Sequence, residues 1–390
     1  MNSARLACVA GTLGFLVGCS GTYKVGDAPT DNGGSPGVSG GPGADVAGAA
    51  TASAGDSPVS SSGGAAVGDI GVSTGDAGAG DVGGAVGVAG AAPIVYCGVT
   101  LAPPAPAVAF ATTEAVWDRI QSFLGTSQPI PINLPVASTR DLAGALADKT
   151  LDSLNGAPAP GLAGFVSAWW PGTPNAGAWA GLFGDPKATL TDLLTTTSVA
   201  NPGSGVLTDP TVLKKTEITT RGIFIDEHLL CLQVPLAPVD IPALPPAQPG
   251  QTRRQQLEQD VMAPACATCH RLMDPIGDSL EHYDTVGNFN TLDNGSPIDS
   301  AGTLPARSAI MSDITFADVN ELGTKLAKDC GASQCLTQQL LADAETSAKL
   351  PVPGSTDPQV VAEIAFASSS GKLRDLIRNI VESDTFLRAK

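Results

Sequence analysis

Along most of this chain apolar residues recur at helical spacing, and almost nowhere do they alternate as strands require. Val116, Ile120, Phe123 and Leu124 share one face, with Trp117 beside them, which predicts an amphipathic helix capped by Thr113. Thr139 is placed to start the next, with Leu142, Ala145 and Leu146 as its stripe and Asp141 favourably placed in the first turn. Thr189 to Thr195 predicts a short helix, while Arg221 to Leu230, carrying Ile223, Phe224, Leu229 and Leu230, fits helix or strand. Arg253 to Met262 reads as helical, and Asp274-Pro275 as an N-cap with Pro at the first position of a short helix reaching His282. Asn294-Gly295 predicts a hairpin turn. Three helices close the chain, marked by Val319, Leu322 and Leu326, by Leu336, Leu340 and Leu341, and by Leu373, Leu376, Ile377, Ile380 and Val381. The fold class is mainly α.

Two stretches break the pattern. From Gly21 to about Ala92 the chain reduces to Gly, Ala, Ser, Val and Asp. Without large side chains no core can offset the entropy of ordering this segment, so it reads as a disordered, flexible tether. Val234 to Gly250 carries six prolines, at 235, 238, 242, 245, 246 and 249, and reads as an extended linker and the best internal boundary. The resulting division is a signal peptide over 1–18, a tether over 19–92 and an N-terminal helical domain over 93–233. A Pro-rich linker follows over 234–252, then a domain over 253–310 and a C-terminal helical domain over 311–390.

The N-terminus changes the picture of where the chain works. After Arg5, an apolar stretch from Leu6 to Val17 is too short to span a membrane and suits a secretory signal. Leu16-Val17-Gly18-Cys19 resembles a bacterial lipobox, which makes Cys19 the lipidation site and the mature N-terminus. Ser20 points to sorting to the outer membrane, so the expected product is an outer-membrane lipoprotein, anchored by lipid and not spanning. The net charge of −17, from 38 acidic and 21 basic residues with no Lys/Arg cluster, argues against nucleic acid as a partner.

An exported chain has oxidisable cysteines. Beyond Cys8 in the signal and Cys19, six remain: Cys97, Cys231, Cys266, Cys269, Cys330 and Cys335. Cys266-Ala-Thr-Cys269-His270 is the C-x-x-C-H at which haem is attached, the thiols adding to two vinyl groups and the imidazole taking the iron. If haem takes Cys266 and Cys269, the other four form two disulfides. Parity leaves the choice open, and the favoured pairing is Cys330–Cys335 across Gly331-Ala332-Ser333, with Cys97–Cys231.

Several strings carry a family resemblance. Arg221-Gly222-Ile223-Phe224-Ile225, Leu229-Leu230-Cys231, the Pro-rich linker and Cys266 through Met273-Asp274-Pro275-Ile276-Gly277 follow one another. Leu280-Glu281-His282-Tyr283-Asp284 continues the series, and Gly371 to Phe386 and, more loosely, Trp117 to Ile120 add to it. Together they resemble large, secreted, cytochrome-like proteins of planctomycetes and myxobacteria built from several domains of unknown function. The resemblance implies a haem-associated protein with a cytochrome c-like helical region and a short hairpin over 253–310. The chain departs from that pattern where a tether replaces an N-terminal cytochrome domain and where His282 replaces the usual Asn.

The expected cofactor is therefore covalent haem c on Cys266, Cys269 and His270, with Met311 as sixth iron ligand and His228 and His282 as rivals. Met273 lies too close along the chain to reach the opposite haem face. The competing readings of the motif are a Cys266–Cys269 disulfide, a zinc site short of ligands, and a redox dithiol lacking a βαβ setting. Asp274, Glu281 and Asp284 read as caps and helix-end charges, and no catalytic constellation appears. The leading function is electron transfer at the outer membrane with an unidentified redox protein as partner. The alternative is a non-redox, disulfide-stabilised surface lipoprotein acting as a binding or structural module, in which Trp169, Trp170 and Trp179 could stack on sugars.

Overall fold

Thr112, one residue before the position expected from the sequence, caps α1 (Thr113–Leu124) by accepting from the Ala115 amide, and Thr139 caps α2 (Arg140–Ser153) in the same way. Our computed structural model describes residues 94–102, 109–195, 205–235, 248–261, 264–306 and 312–389. The segments read above as signal and tether, with Cys19, together with the centre of the Pro-rich stretch and Met311, lie outside the described residues. After α2 come α3 (Pro160–Trp169), α4 (Ala176–Gly184), α5 (Leu190–Thr195), a 3-10 turn (Gly205–Thr208), α6 (Pro210–Leu213) and α7 (Ile218–Leu229). Beyond the linker follow α8 (Arg253–Asp260) and α9 (Pro264–Asp278). The chain closes with α10 (Val319–Leu326), α11 (Cys330–Ser347), α12 (Pro358–Ala367), α13 (Leu373–Val381) and α14 (Asp384–Leu387).

Strands are short and form three antiparallel pairs: β1 (Val95–Tyr96) with β2 (Val99–Thr100), β3 (Leu292–Asp293) with β4 (Ser296–Pro297), and β5 (Gly302–Leu304) with β6 (Ile314–Phe316). Asn294 and Gly295, both at positive φ, make the β3–β4 turn the sequence predicts. The described residues thus form a mainly α-helical fold with short hairpins and no closed sheet, a generic helical fold without the specifically cytochrome c-like character expected of 253–310. Among them no helix is long and apolar enough to cross a membrane.

One apolar core runs through the helices, with Ile120, Phe123, Trp170, Trp179, Phe183, Leu194 and Phe386 fully buried. The approach to α1 and the chain's end are paired, Ala111 donating to Leu387 O and Ala389 to Ala109 O, each at 2.8 Å. Buried Arg119 completes that closure by donating to the carbonyls of Phe386 and Arg388. Arg374 of α13 meets Asp148 and Asp152 of α2, at 2.8 and 2.7 Å.

Of the two options for Arg221 to Leu230 the chain takes the helical one, through Leu229. Two local expectations need correction. Asp274-Pro275 does not open a helix, because α9 runs continuously through Pro275. The favoured disulfide pairing also fails: the bonds are Cys97–Cys330 and Cys231–Cys335, with Cα separations of 5.6 and 5.3 Å. Residues 331–333, read as a turn, are instead the first turn of α11, capped by Asp329. Five residues along an ideal helix put two Cα atoms about 8.7 Å apart and turned about 140° from each other, beyond the reach of a disulfide. Each cysteine of α11 therefore takes a separate partner, and both partners, Cys97 in the β1–β2 turn and Cys231 just past α7, have φ 52°.

Candidate functional site

The C-x-x-C-H lies on α9, and α9 is placed by α7. A β-carbon on Gly222 would overlap the Met273 carbonyl, and one on Gly277 would overlap the carbonyl of Ile218. The two helices therefore approach backbone to backbone, which only glycine at these positions permits. Arg221, buried beside Gly222, spreads its guanidinium over four carbonyls. Nε donates to Lys215 O at 2.9 Å, Nη1 to Leu280 O and Tyr283 O at 3.0 Å, and Nη2 to Leu213 O at 3.1 Å. Its planar fork joins the start of α7 to the chain leaving α9.

Cys266, His270, Asp274 and Asp278 stand four residues apart and form one row along α9. Cys269, Met273 and Gly277 form the adjacent row, in which Met273 is buried and Gly277 touches α7. Cys266 is exposed and Cys269 half-buried, and both are thiols. His270 Nδ1 lies 2.8 Å from Asp274 Oδ2, while the Thr219 hydroxyl of α7 donates to Asp274 Oδ1 at 2.7 Å. Burial pushes the Asp274 carboxyl above the usual range, against the opposing pull of Thr219 and His270.

Further along, burial raises Asp278 to about 8 and Glu281 to about 7. Arg254 Nε lies 3.5 Å from Asp278 Oδ2, near enough to count as an ion pair. The burial outweighs the pull of that charge, which acts to lower the Asp278 carboxyl. Its Oδ1 has no hydrogen-bond partner.

This geometry overturns the haem c reading and the electron-transfer function built on it. Among the described residues no three of His, Cys, Asp and Glu gather where they could hold a metal ion. Four of the six cysteines are joined in structural disulfides, and the His270 ring is engaged by Asp274. The two candidate histidine ligands have other partners. His282 Nδ1 bonds to Asn290 O at 2.6 Å and stacks on Phe289, and His228 packs 4.3 Å from the Phe224 ring on α7. Met311 lies outside the described residues. The fold brings together Cys266, Cys269, His270 and Asp274, to which it adds Thr219 from 51 residues upstream of the histidine.

The tryptophans proposed to stack on sugars are interior: Trp169 is 3% exposed, Trp170 and Trp179 0%. Trp179 Nε1 donates to buried Asp209, the N-cap of α6. A cavity of about 440 Å³ opens elsewhere, lined by Tyr96, Thr189, Ser333, Thr337, Ser368 and Lys372 among others, beside the Cys97–Cys330 bond. Its hydroxyls come from segments far apart in the chain, so no local motif announced it. The Thr219–Asp274 contact was equally silent. The four-residue spacing of His270 and Asp274 was the one available sign, and the Asp-Pro dipeptide masked it.

A family model described as PSCyt3, protein of unknown function (DUF1588), matches residues 203–293, the segment from the 3-10 turn through α6, α7, α8 and α9 to β3. No curated protein and no solved structure matches the chain. The matched segment contains Gly222 and Gly277, the two positions at which α7 and α9 approach in this chain.

Proposed function

We propose that this chain is an exported, lipid-anchored surface module, stapled by disulfides, whose work is binding or structural. The observation that carries the reading is the pair of long-range disulfides, which close separations of 233 and 104 residues. Bonds of this kind persist in oxidising compartments and are rare in the cytosol. The lipobox-like Leu16-Val17-Gly18-Cys19 supplies the anchor and Ser20 the outer-membrane destination. The hydroxyl-lined cavity beside Cys97–Cys330 is the concave surface this reading offers a ligand.

The test is to export the full chain in a bacterial host, label it with radioactive palmitate and compare it with Cys19→Ala. The wild type should fractionate with the outer membrane and carry label, and the variant should do neither. The exported protein should also yield peptides cross-linked as Cys97–Cys330 and Cys231–Cys335. Unlabelled wild-type protein, or a chain with free thiols at those four positions, overturns the reading, as does a covalent visible-absorbing chromophore.

A further inference from the structure

Cys266 and Cys269 are the two described cysteines outside the long-range bonds, and they differ from Cys330 and Cys335 in spacing. Three residues along an ideal helix separate Cα atoms by about 5 Å and leave the side chains on one face, inside the range a disulfide accepts. The two thiols stand in the first turns of α9, Cys266 exposed and Cys269 half-buried. One turn on from Cys266, on the same row, stands His270, whose Nδ1 is engaged by Asp274 while Thr219 fixes that carboxyl from the other side. In the tautomer whose Nδ1–H donates to Asp274, Nε2 is the accepting nitrogen.

We propose that Cys266 and Cys269 form a reversible disulfide across the start of α9, made and broken by exchange with an external disulfide of a protein or of glutathione type. The site goes beyond the anchored-module reading and does not depend on it. In the oxidising direction, Cys266 gives its proton to His270 Nε2 and its sulfur attacks one sulfur of the external disulfide. That bond breaks and one external thiolate leaves, which takes up a proton. Cys269 then gives its proton to solvent and its sulfur attacks Cys266 Sγ, closing the internal disulfide and releasing the second external sulfur as a thiolate that solvent protonates. The chain loses two electrons and two protons, and the external disulfide becomes two thiols. Exposure makes Cys266 the sulfur that meets the partner and Cys269 the one that resolves the mixed disulfide. His270 acts as base for the first step, with Asp274 and Thr219 as positioning residues.

The test equilibrates the full exported chain in glutathione buffers of graded oxidation, quenches with iodoacetamide and maps every cysteine by mass. The expected result is that Cys266 and Cys269 pass together from alkylated to cross-linked while Cys97–Cys330 and Cys231–Cys335 stay oxidised throughout. Persistent thiols in excess oxidised glutathione overturn the proposal, as do sulfurs closed to both alkylation and reduction, or a pair that opens only with the long-range bonds. Cys269→Ser should trap glutathione on Cys266, and an unmodified Cys266 in that variant also overturns it. His270→Asn should slow the trapping about tenfold at pH 7 and leave it unchanged at pH 10, where hydroxide takes the place of the histidine as base. An equal loss at both values, with the far-ultraviolet spectrum intact, removes the histidine from the step.

Discussion

Helices α9 and α11 each carry two cysteines, and the fold uses them in opposite ways. On α11 the five-residue spacing turns Cys330 and Cys335 apart, so one ties down the β1–β2 turn through Cys97 and the other the end of α7 through Cys231. On α9 the three-residue spacing keeps Cys266 and Cys269 together, and neither is bonded to another element. What holds α9 is noncovalent: the glycine contacts with α7 and the four-way clasp of Arg221. Helical phase, more than cysteine content, decides which sulfurs become staples and which remain available for chemistry. α7 serves both arrangements, packed on α9 along its length and tied to α11 just past its end.

If α9 depends on that clasp, breaking it should have the largest effect. Arg221→Met takes the guanidinium from four carbonyls, of which Leu280 O keeps the Tyr283 amide as donor, and should lower stability by about 3–5 kcal/mol, read from urea unfolding. Arg221→Lys should recover little, since one ammonium cannot span the four acceptors. Gly222→Ala and Gly277→Ala each force a methyl into a backbone carbonyl of the facing helix and should cost about 3 kcal/mol. Wild-type stability in any of these variants would mean that α9 is held by something other than α7.

The covalent side is broken by Cys231→Ser with Cys335→Ser, which frees the end of α7 from α11. The expected loss is about 2–4 kcal/mol, with the double variant of the Cys97–Cys330 pair in the same range. Pairing Cys231→Ser/Cys335→Ser with Gly222→Ala sharpens the comparison. If α7 transmits both restraints, the combined loss departs from the sum of the separate losses by more than about 0.5 kcal/mol.

Much of the helical frame was legible because it is striped. α1, α2, α10 and α13 each show an apolar face that only one period explains. α3 and α4 escape because Pro160-Gly-Leu-Ala-Gly-Phe-Val-Ser-Ala-Trp169 and Ala176-Gly-Ala-Trp-Ala-Gly-Leu-Phe-Gly184 have no polar side to set against an apolar one. The dipeptide Asp-Pro shows where local reading stops. Asp357-Pro358 does cap and open α12, its carboxylate accepting from the Gln359 amide. Asp274-Pro275 has the same letters but sits inside α9, where Thr219 and His270 occupy the carboxyl. The deciding partner lies in a helix far away in sequence, which no window along the chain contains. The same holds for the C-x-x-C-H itself: its spacing was plain, but what surrounds it is set by α7.

Protonation separates the two regions at a finer level. Asp278, at the end of α9, is pushed up to about 8 by burial and Glu281 to about 7, whereas an unfolded carboxyl titrates near 4. Between those values the folded chain holds protons that the unfolded chain has lost. Stability therefore falls as pH rises from about 4 to about 8 and levels off above. Asp278→Asn should flatten much of that slope. The variant should match wild type at pH 5 and exceed it by about 1–2 kcal/mol at pH 8, read from melting temperatures across the range. A slope that survives the substitution intact would assign it to Glu281.

The smallest expected effect is the one most specific to the comparison. Cys266→Ser with Cys269→Ser, measured on protein reduced at that pair alone, should change stability by no more than about 0.5 kcal/mol. Cys266 is exposed and Cys269 only half-buried, and serine is tolerated near a helix start. The same atomic change at Cys231 and Cys335 removes a cross-link and should cost several times more. If instead the α9 pair proves as costly as the α11 pair, those sulfurs restrain the fold, and helical phase no longer divides staples from available thiols. If the α9 substitution is silent, the fold has no structural need of either thiol.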